Sequence, residues 1–444
     1  MVGAGVPISF NLDGWRKGFS SLELENWIYN FKCQLKVLES LGHVSTSLNA
    51  SAKRIHSPLA RALEVAVIGA PNVGKSLLTN QLVRAAVSSV SKRMDTTTQN
   101  IEAVLTEDNV QLVVCDSPGT IGLRHAKETM GRSKDDIILT GPEEALKRAE
   151  HVLVVQDATA TGDYIHHRVM HLLHRHSHLP ASLVINKVDL ISQRSDLLEL
   201  TRILTNGRVA GAPIKIDKKA IGRLGVSSSD LRLHDDSVTD QDEAWQERYR
   251  KIIATPTHKV GFAETKHLFA NIRGWSGFDA VFFVSSLTGE GIEPLRDHLK
   301  KLSQERKWRL DEMAVTTKTP QAICIDSVRA ALLDTTPANV AYKLKPRITE
   351  WKVEGEVLQI VVEINCDKER IGRLIVGKGG RRIAEIGKRV NDHMHNLFER
   401  QLFFPFKITL LIHIRRDGKL AVLSRLNISG SCANHTENIR KKSK

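Results

Sequence analysis

Residues 63–80, LEVAVIGAPNVGKSLLTN, constrain the fold more than any other stretch. An apolar run ends at Gly69, a turn follows, and a helix-forming segment begins near Lys75. Gly69-Ala70-Pro71-Asn72-Val73-Gly74-Lys75-Ser76 fits G-x-x-x-x-G-K-[ST] in the strand–turn–helix setting that the pattern needs. The glycines let backbone N–H groups wrap a phosphate, and the helix N-terminus adds its positive dipole end. Lys75 is placed to reach the outer phosphate oxygens, and Ser76 to ligate Mg²⁺.

The segments that follow alternate between apolar strands and helices. Residues 101–119 read as a hairpin turning at EDN, and 150–158, 181–189 and 280–291 read as buried strands. Such alternation indicates an α/β P-loop domain, a mostly parallel sheet with helices on both faces. Ligands of open α/β sheets bind at the carboxyl ends of the strands, and the remaining polar motifs fall there. Asp116-Ser117-Pro118-Gly119 ends one strand. An aspartate there can hold Mg²⁺ through water, and the Gly119 N–H can meet a γ-phosphate. Asn186-Lys187-Val188-Asp189 ends a later strand. Asp189 can accept from guanine N1–H and N2–H₂, a donor pair adenine lacks. Asn186 is expected at the base edge, and the Lys187 stem over the ring. Ser285-Ser286-Leu287 ends the last strand, where its backbone supports the base. In MDTTTQN (94–100), Thr96 and Thr97 are the candidates to complete the Mg²⁺ shell, with Thr97 preferred; a plain threonine-rich strand start is the bland alternative.

The ordered set GxPNVGKS, TT, DSPG, NKVD and SSL resembles the Era branch of GTPases. The resemblance implies GTP/GDP and Mg²⁺ as ligands, slow hydrolysis, and a catalytic set of Lys75, Ser76, Thr97, Asp116 and Gly119. It also implies K⁺ held near the phosphates by Asn72, because related GTPases use an asparagine at that place. Thr120 and Ile121 stand where many regulatory GTPases put a water-orienting glutamine. Leu77 replaces the threonine usual after GKS, and Thr98 the common arginine. These departures keep open a competing reading, a degenerate GTPase acting as an RNA scaffold without turnover.

A second glycine turn, Gly377-Lys378-Gly379-Gly380, lacks the spacing and the partners of the first. The order helix–strand–strand–helix–GxxG–helix–strand after residue 305 matches an α+β type II KH domain, in which such a turn clamps a nucleic-acid backbone. Ile375 and Val376, with Ile383 and Ile386, are candidates for an apolar base groove. Lys378, Arg381, Arg382, Lys388 and Arg389 are candidates for phosphate contacts. Of the formal net charge of +14, residues 365–444 hold 18 Lys+Arg against 7 Asp+Glu, net +11. That excess favours a polyanionic partner. A GTPase domain followed by a KH domain is the Era architecture. The wording is closest to the metazoan mitochondrial Era-like members, which implies small-subunit ribosomal RNA near its 3′ end, and the small ribosomal subunit, as partners.

The expected organisation is a leader (1–60), a GTPase domain (61–305) with a long insertion at about 206–277, a linker helix region (306–335), a KH domain (336–416) and a basic tail (417–444). Residues 40–63 are Ser/Ala-rich and basic without an acid. They resemble an organellar transit segment, in keeping with the mitochondrial matrix; an inert leader of a cytoplasmic protein is the alternative. No apolar run approaches the ~20 residues of a membrane helix, and a peripheral inner-membrane contact stays open. Cys33, Cys115, Cys324, Cys366 and Cys432 are dispersed, which fits a reducing compartment. The run HHRVMHLLHRHSHLP (166–180) could place His167, His171 and His174 on one helix face for zinc, against the simpler reading of a solvated face.

Overall fold

The computed structural model describes residues 60–90, 100–119, 135–160, 163–214, 243–341, 343–354, 357–366, 368–402, 407–416 and 419–426. The leader, Thr96–Thr98, Thr120 and Ile121 lie outside them.

The N-terminal half is built on β1 (Arg61–Gly69), α1 (Lys75–Val83), β2 (Ile101–Glu107), β3 (Val110–Asp116), α2 (Asp135–Arg148), β4 (His151–Asp157), α3 (His167–Arg175), β5 (Ala181–Asn186) and α4 (Ser195–Leu204). A two-residue ribbon, β6 (Arg208–Val209) and β7 (Ala212–Pro213), leads on to α5 (Glu243–Ala254), α6 (Phe262–Leu268), β8 (Phe278–Phe283), α7 (Ile292–Leu302) and β9 (Gln304–Glu305). Sheet order is β2-β3-β1-β4-β5-β8, parallel except for the β2–β3 hairpin. Successive residues of β1 face opposite sides, so the sheet has two cores. Leu63, Val65 and Val67 meet α1 and α7, whereas Ala66 and Ile68 meet α2 and α3. The predicted layers are therefore present.

The long insertion expected at about 206–277 is in part core. In α5, Trp245, Tyr249, Ile252 and Ile253 recur at helical spacing, and they join Val260, Leu268 and Phe269 on the α3 side of the sheet. Buried Arg168 of α3 binds the Thr257 and Val260 carbonyls at 3.0 and 3.2 Å, and Glu143 of α2 accepts from the Thr257 N–H at 2.6 Å. Residues 215–242, between ribbon and α5, lie outside the description.

The linker is strapped to the first sheet. β9 pairs with the start of β1, Arg306 clasps Glu150 through two bonds (2.8 and 2.7 Å), and Trp308 donates to the Arg61 carbonyl at 2.9 Å. The strap ends on the edge strand β2, where Val104 N–H donates to the Val315 carbonyl at 2.8 Å.

The C-terminal half runs α8 (Pro320–Thr335), α9 (Ala338–Ala341), β10 (Pro346–Glu354), β11 (Val357–Asn365), α10 (Glu369–Val376), a 3-10 turn (Lys378–Gly380), α11 (Arg381–Leu402), β12 (Lys407–Arg416) and β13 (Lys419–Leu426). Thr319 caps α8 through Ala322 N–H, with Pro320 in its first turn. β11 and β12 run parallel and β10 is antiparallel to β11. The basic tail begins later than expected: β13 adds a fourth strand, antiparallel to β12. Both sheets belong to one compact unit. Among the described residues, no helix is long and apolar enough to cross a membrane.

Candidate functional site: a phosphate loop and a second glycine turn

The first glycine loop leaves β1 at Gly69 and enters α1 at Lys75. Both approaches are close. A side chain on Gly69 would stand 2.5 Å from the Val155 carbonyl, and one on Gly74, at φ 94°, would stand 2.4 Å from Asn186 Nδ2. Glycine is required at these places by contact, and at Gly74 by backbone as well. Lys75 is buried, its ammonium donating to the Ala70 carbonyl at 2.9 Å and the Gly69 carbonyl at 3.3 Å. Asn72 is exposed with φ 62°.

Asp116 ends β3 beside this loop with no solvent exposure, and neither carboxylate oxygen reaches ordinary hydrogen-bond geometry. Burial raises its pKa, against the pull of the neighbouring Ser76 hydroxyl, the Lys75 ammonium and the Ser88 hydroxyl. A buried carboxylate short of partners beside a serine hydroxyl offers the oxygen ligands a divalent cation fits, while the Lys75 ammonium suits phosphate oxygens and not the metal. Ser117 anchors the strand end, donating to the Val67 carbonyl at 2.6 Å. Pro118 and Gly119 are buried, and a side chain on Gly119 would meet Pro71 at 3.1–3.3 Å, so the DSPG turn lies directly against the loop.

Asn186, expected at the base edge, also works within the protein. It is buried. Nδ2 donates to the Val73 carbonyl at 2.8 Å, while Oδ1 accepts from the Ser286 N–H and hydroxyl, both at 3.0 Å. The side chain ties three motifs together. Gln81 of α1 adds a bond to the Ser286 carbonyl at 3.0 Å. Ser285 is buried and Leu287 is 73% exposed. Lys187 sits at φ 65°, its ammonium held 2.6 Å from Asp157 at the end of β4. Asp189 is exposed on the following turn. Asp157, Gln81 and the Asn186 tie were not anticipated. The one trace of Asp157 in the sequence is a charged residue closing an apolar strand.

At the second turn, Gly377, Gly379 and Gly380 all have positive φ (71°, 63° and 75°). A side chain on Gly377 would lie 2.7 Å from Arg382 Cβ, whereas one on Gly379 would meet nothing within 4 Å. Lys378, Arg381 and Lys388 are exposed. Arg382 is partly buried and donates to the Leu374 carbonyl. Two expectations change. Ile375, Ile383 and Ile386 are 0–1% exposed and form core, leaving Val376 as the partly exposed apolar group at the turn. Arg389 points to its own fold, pairing with Asp334 at 2.9 Å and Glu385 at 3.0 Å.

The histidines of α3 serve packing. His171 bonds Thr257 Oγ1 (2.7 Å) and the Ile252 carbonyl (2.9 Å), and His174 bonds the Tyr249 hydroxyl (2.8 Å). Burial holds His174 at about 4, so it is neutral near pH 7. Among the described residues, no group of three or more His, Cys, Asp or Glu side chains could hold a metal ion.

Residues 64–187 match the family described as 50S ribosome-binding GTPase. The mitochondrial GTPase Era of Caenorhabditis elegans is 51% identical over 400 residues, covering 89% of this chain and 98% of the relative. That of Danio rerio is 30% identical, covering 76% and 73%. The crystal structure of Era in complex with MgGDPNP and nucleotides 1506-1542 of 16S ribosomal RNA shares the fold, with a TM-score of 0.53 at 22% identity over 81% of this chain and 95% of that one. With a phosphate loop, an adjoining buried aspartate and a relative at 51% identity matched along 98% of its length, the chain belongs to the Era family of GTPases.

Proposed function

We propose that the protein binds and hydrolyses GTP with Mg²⁺ and uses the nucleotide state to control a clamp on small-subunit ribosomal RNA, assisting small-subunit assembly in mitochondria. The observation that carries this reading is the convergence of the 69–76 loop, Asp116 and the Asn186 tie at the carboxyl ends of one sheet, in a chain that also presents a basic glycine turn at 377–380. Ser76 and Asp116, joined by Thr97, are the residues that would hold Mg²⁺, which supplies charge neutralisation at the phosphates. Lys75 moves from the loop carbonyls to the phosphate oxygens, and the Gly119 N–H meets the γ-phosphate. Asp189 reads guanine, and Asp157 fixes Lys187 so that its stem covers the base. Asn72 is assigned to K⁺ on the family resemblance alone.

For RNA, the exposed Lys378, Arg381 and Lys388 surround a turn whose backbone takes conformations suited to close phosphate approach. The solved Era complex holds nucleotides 1506-1542 of 16S ribosomal RNA, and the relatives are named as mitochondrial; both support the reading for this chain. A peripheral contact with the inner membrane is a finer proposal, resting on the basic C-terminal excess. Crosslinking and sequencing of RNA bound in cells tests the function. Reads should concentrate near the 3′ end of the mitochondrial small-subunit rRNA; an even spread over messenger RNA would exclude it.

A further inference from the structure

The corner between α1 and the stretch leading to the threonines has no assigned task, yet it touches both halves of the protein. Arg84, at φ 52°, turns the chain out of α1. Asn80 then grips Ser88 from both sides: Asn80 Nδ2 donates to the Ser88 carbonyl at 2.7 Å and Oδ1 accepts from the Ser88 N–H at 2.8 Å. Asn80 thus fixes where the Ser88 hydroxyl lies.

That hydroxyl is closed to solvent and has no hydrogen bond of ordinary geometry, and the same is true of the Asp116 oxygens beside it. A buried hydroxyl without a partner beside a buried carboxylate is costly alone and stabilised by pairing with it, and Asp116 has acceptor capacity left over beside Ser76 and Lys75. A hydroxyl hydrogen rotates to suit, so the pair forms with little movement. On the other side of the corner, His393 of α11 donates from Nε2 to the Ala86 carbonyl at 2.9 Å. Asp334, Arg389, Asp392 and Asn396 line the cavity of about 330 Å³ at this seam, with Asp326 also acting on His393. α11 is the helix that the 377–380 turn opens.

We propose that Ser88 is a positioning residue for the metal carboxylate, donating a hydrogen bond to Asp116, and that His393 holds the corner carrying it from the C-terminal half. The inference rests on the Mg·GTP reading above. It places three residues, Ala86 to Ser88, between the helix that follows the second glycine turn and the carboxylate of the first site. Losing the hydroxyl removes the restraint on the Ser88 side of Asp116, so that its oxygens are held from the Ser76 and Lys75 side alone and can turn from the metal. Losing His393 lets the corner, and Ser88 with it, drift.

The test uses the full chain loaded with a fluorescent GDP analogue, following its release as Mg²⁺ is titrated down. Ser88→Ala should raise the Mg²⁺ concentration for half-maximal retention about tenfold, the scale of one hydrogen bond to a charged group. Ser88→Cys, which keeps the volume with a weaker donor, should fall between Ala and wild type. His393→Ala should shift the midpoint the same way by a smaller factor, and His393→Gln, which keeps an N–H near the same place, should restore it. At saturating Mg²⁺ every variant should hold the analogue as wild type does. Superposed Mg²⁺ curves for wild type and Ser88→Ala would overturn the proposal, as would equal weakening at saturating Mg²⁺, which marks general loosening. A wild type whose retention ignores Mg²⁺ would instead defeat the Mg·GTP reading itself.

Discussion

Replacing Asn186 by alanine isolates the tie at the centre of the nucleotide site. The substitution removes one bond to the Val73 carbonyl and two from Ser286, all in a buried setting. A typical hydrogen bond contributes about 1 kcal/mol, and a buried partner left unsatisfied costs about 1–3 kcal/mol. The Val73 carbonyl and the Ser286 N–H are both stranded, so the expected loss is about 2–6 kcal/mol, shared between folding stability and GTP affinity. At 1.4 kcal/mol per tenfold, a loss falling wholly on binding would weaken GTP by roughly 30-fold or more. Asn186→Asp sharpens the test. It keeps acceptors for Ser286 and sets an oxygen against the Val73 carbonyl, so the Ser286 half survives and the loop half is lost. Thermal melting and calorimetric titration of GTP, on the same preparations, read the two shares. If Asn186→Ala moved both by less than about 0.5 kcal/mol, the tie would be decorative and the reasoning wrong.

Asp189→Asn should shift preference from GTP towards xanthosine triphosphate, and unchanged GTP affinity would dismiss Asp189 as the base reader. Gly377→Ala should impair RNA binding and stability more than Gly379→Ala. Both strain a positive φ at about 1–2 kcal/mol, but only at 377 does the added carbon meet Arg382, at 2.7 Å; equal effects in melting and RNA titration would contradict the turn geometry. Burial works to raise Glu143, yet the nearby His176 ring, the hydrogen bond from the Thr257 N–H and the charge of Arg175 hold it down at about 2. A depressed carboxylate contributes stability that is complete above its ordinary pKa near 4.5 and lost as pH falls towards 2. Glu143→Gln should therefore flatten the acid limb of the stability curve, and an unchanged limb would remove Glu143 from that account.

The phosphate loop, the DSPG and NKVD strand ends and the order of elements were legible because each is a local pattern tied to a strand end. What escaped was long-range or depended on burial. The tie at Asn186 leaves no sign in the spacing, because nothing local says that Val73 and Ser286 converge on it. Ile375, Ile383 and Ile386 could be groove or core on periodicity alone, and 0–1% exposure decides for core. Arg389 belongs to a basic run, but Asp334, 55 residues earlier, claims it. The histidines of α3 depend on partners in α5 and the 257 loop, far along the chain. Two misses had readable signals. Trp245, Tyr249, Ile252 and Ile253 make an amphipathic stripe that argues for packing. Asp417-Gly418 between two apolar runs is a hairpin dipeptide that announces β13.

The central claim is that nucleotide state at the first glycine loop governs RNA at the second. The direct measurement is the affinity of the full protein for the 3′ segment of small-subunit ribosomal RNA, at fixed salt, loaded with a non-hydrolysable GTP analogue and then with GDP. Tighter binding in the GTP form by tenfold or more, about 1.4 kcal/mol of coupling, is the predicted result. Equal affinities in the two states would contradict the account.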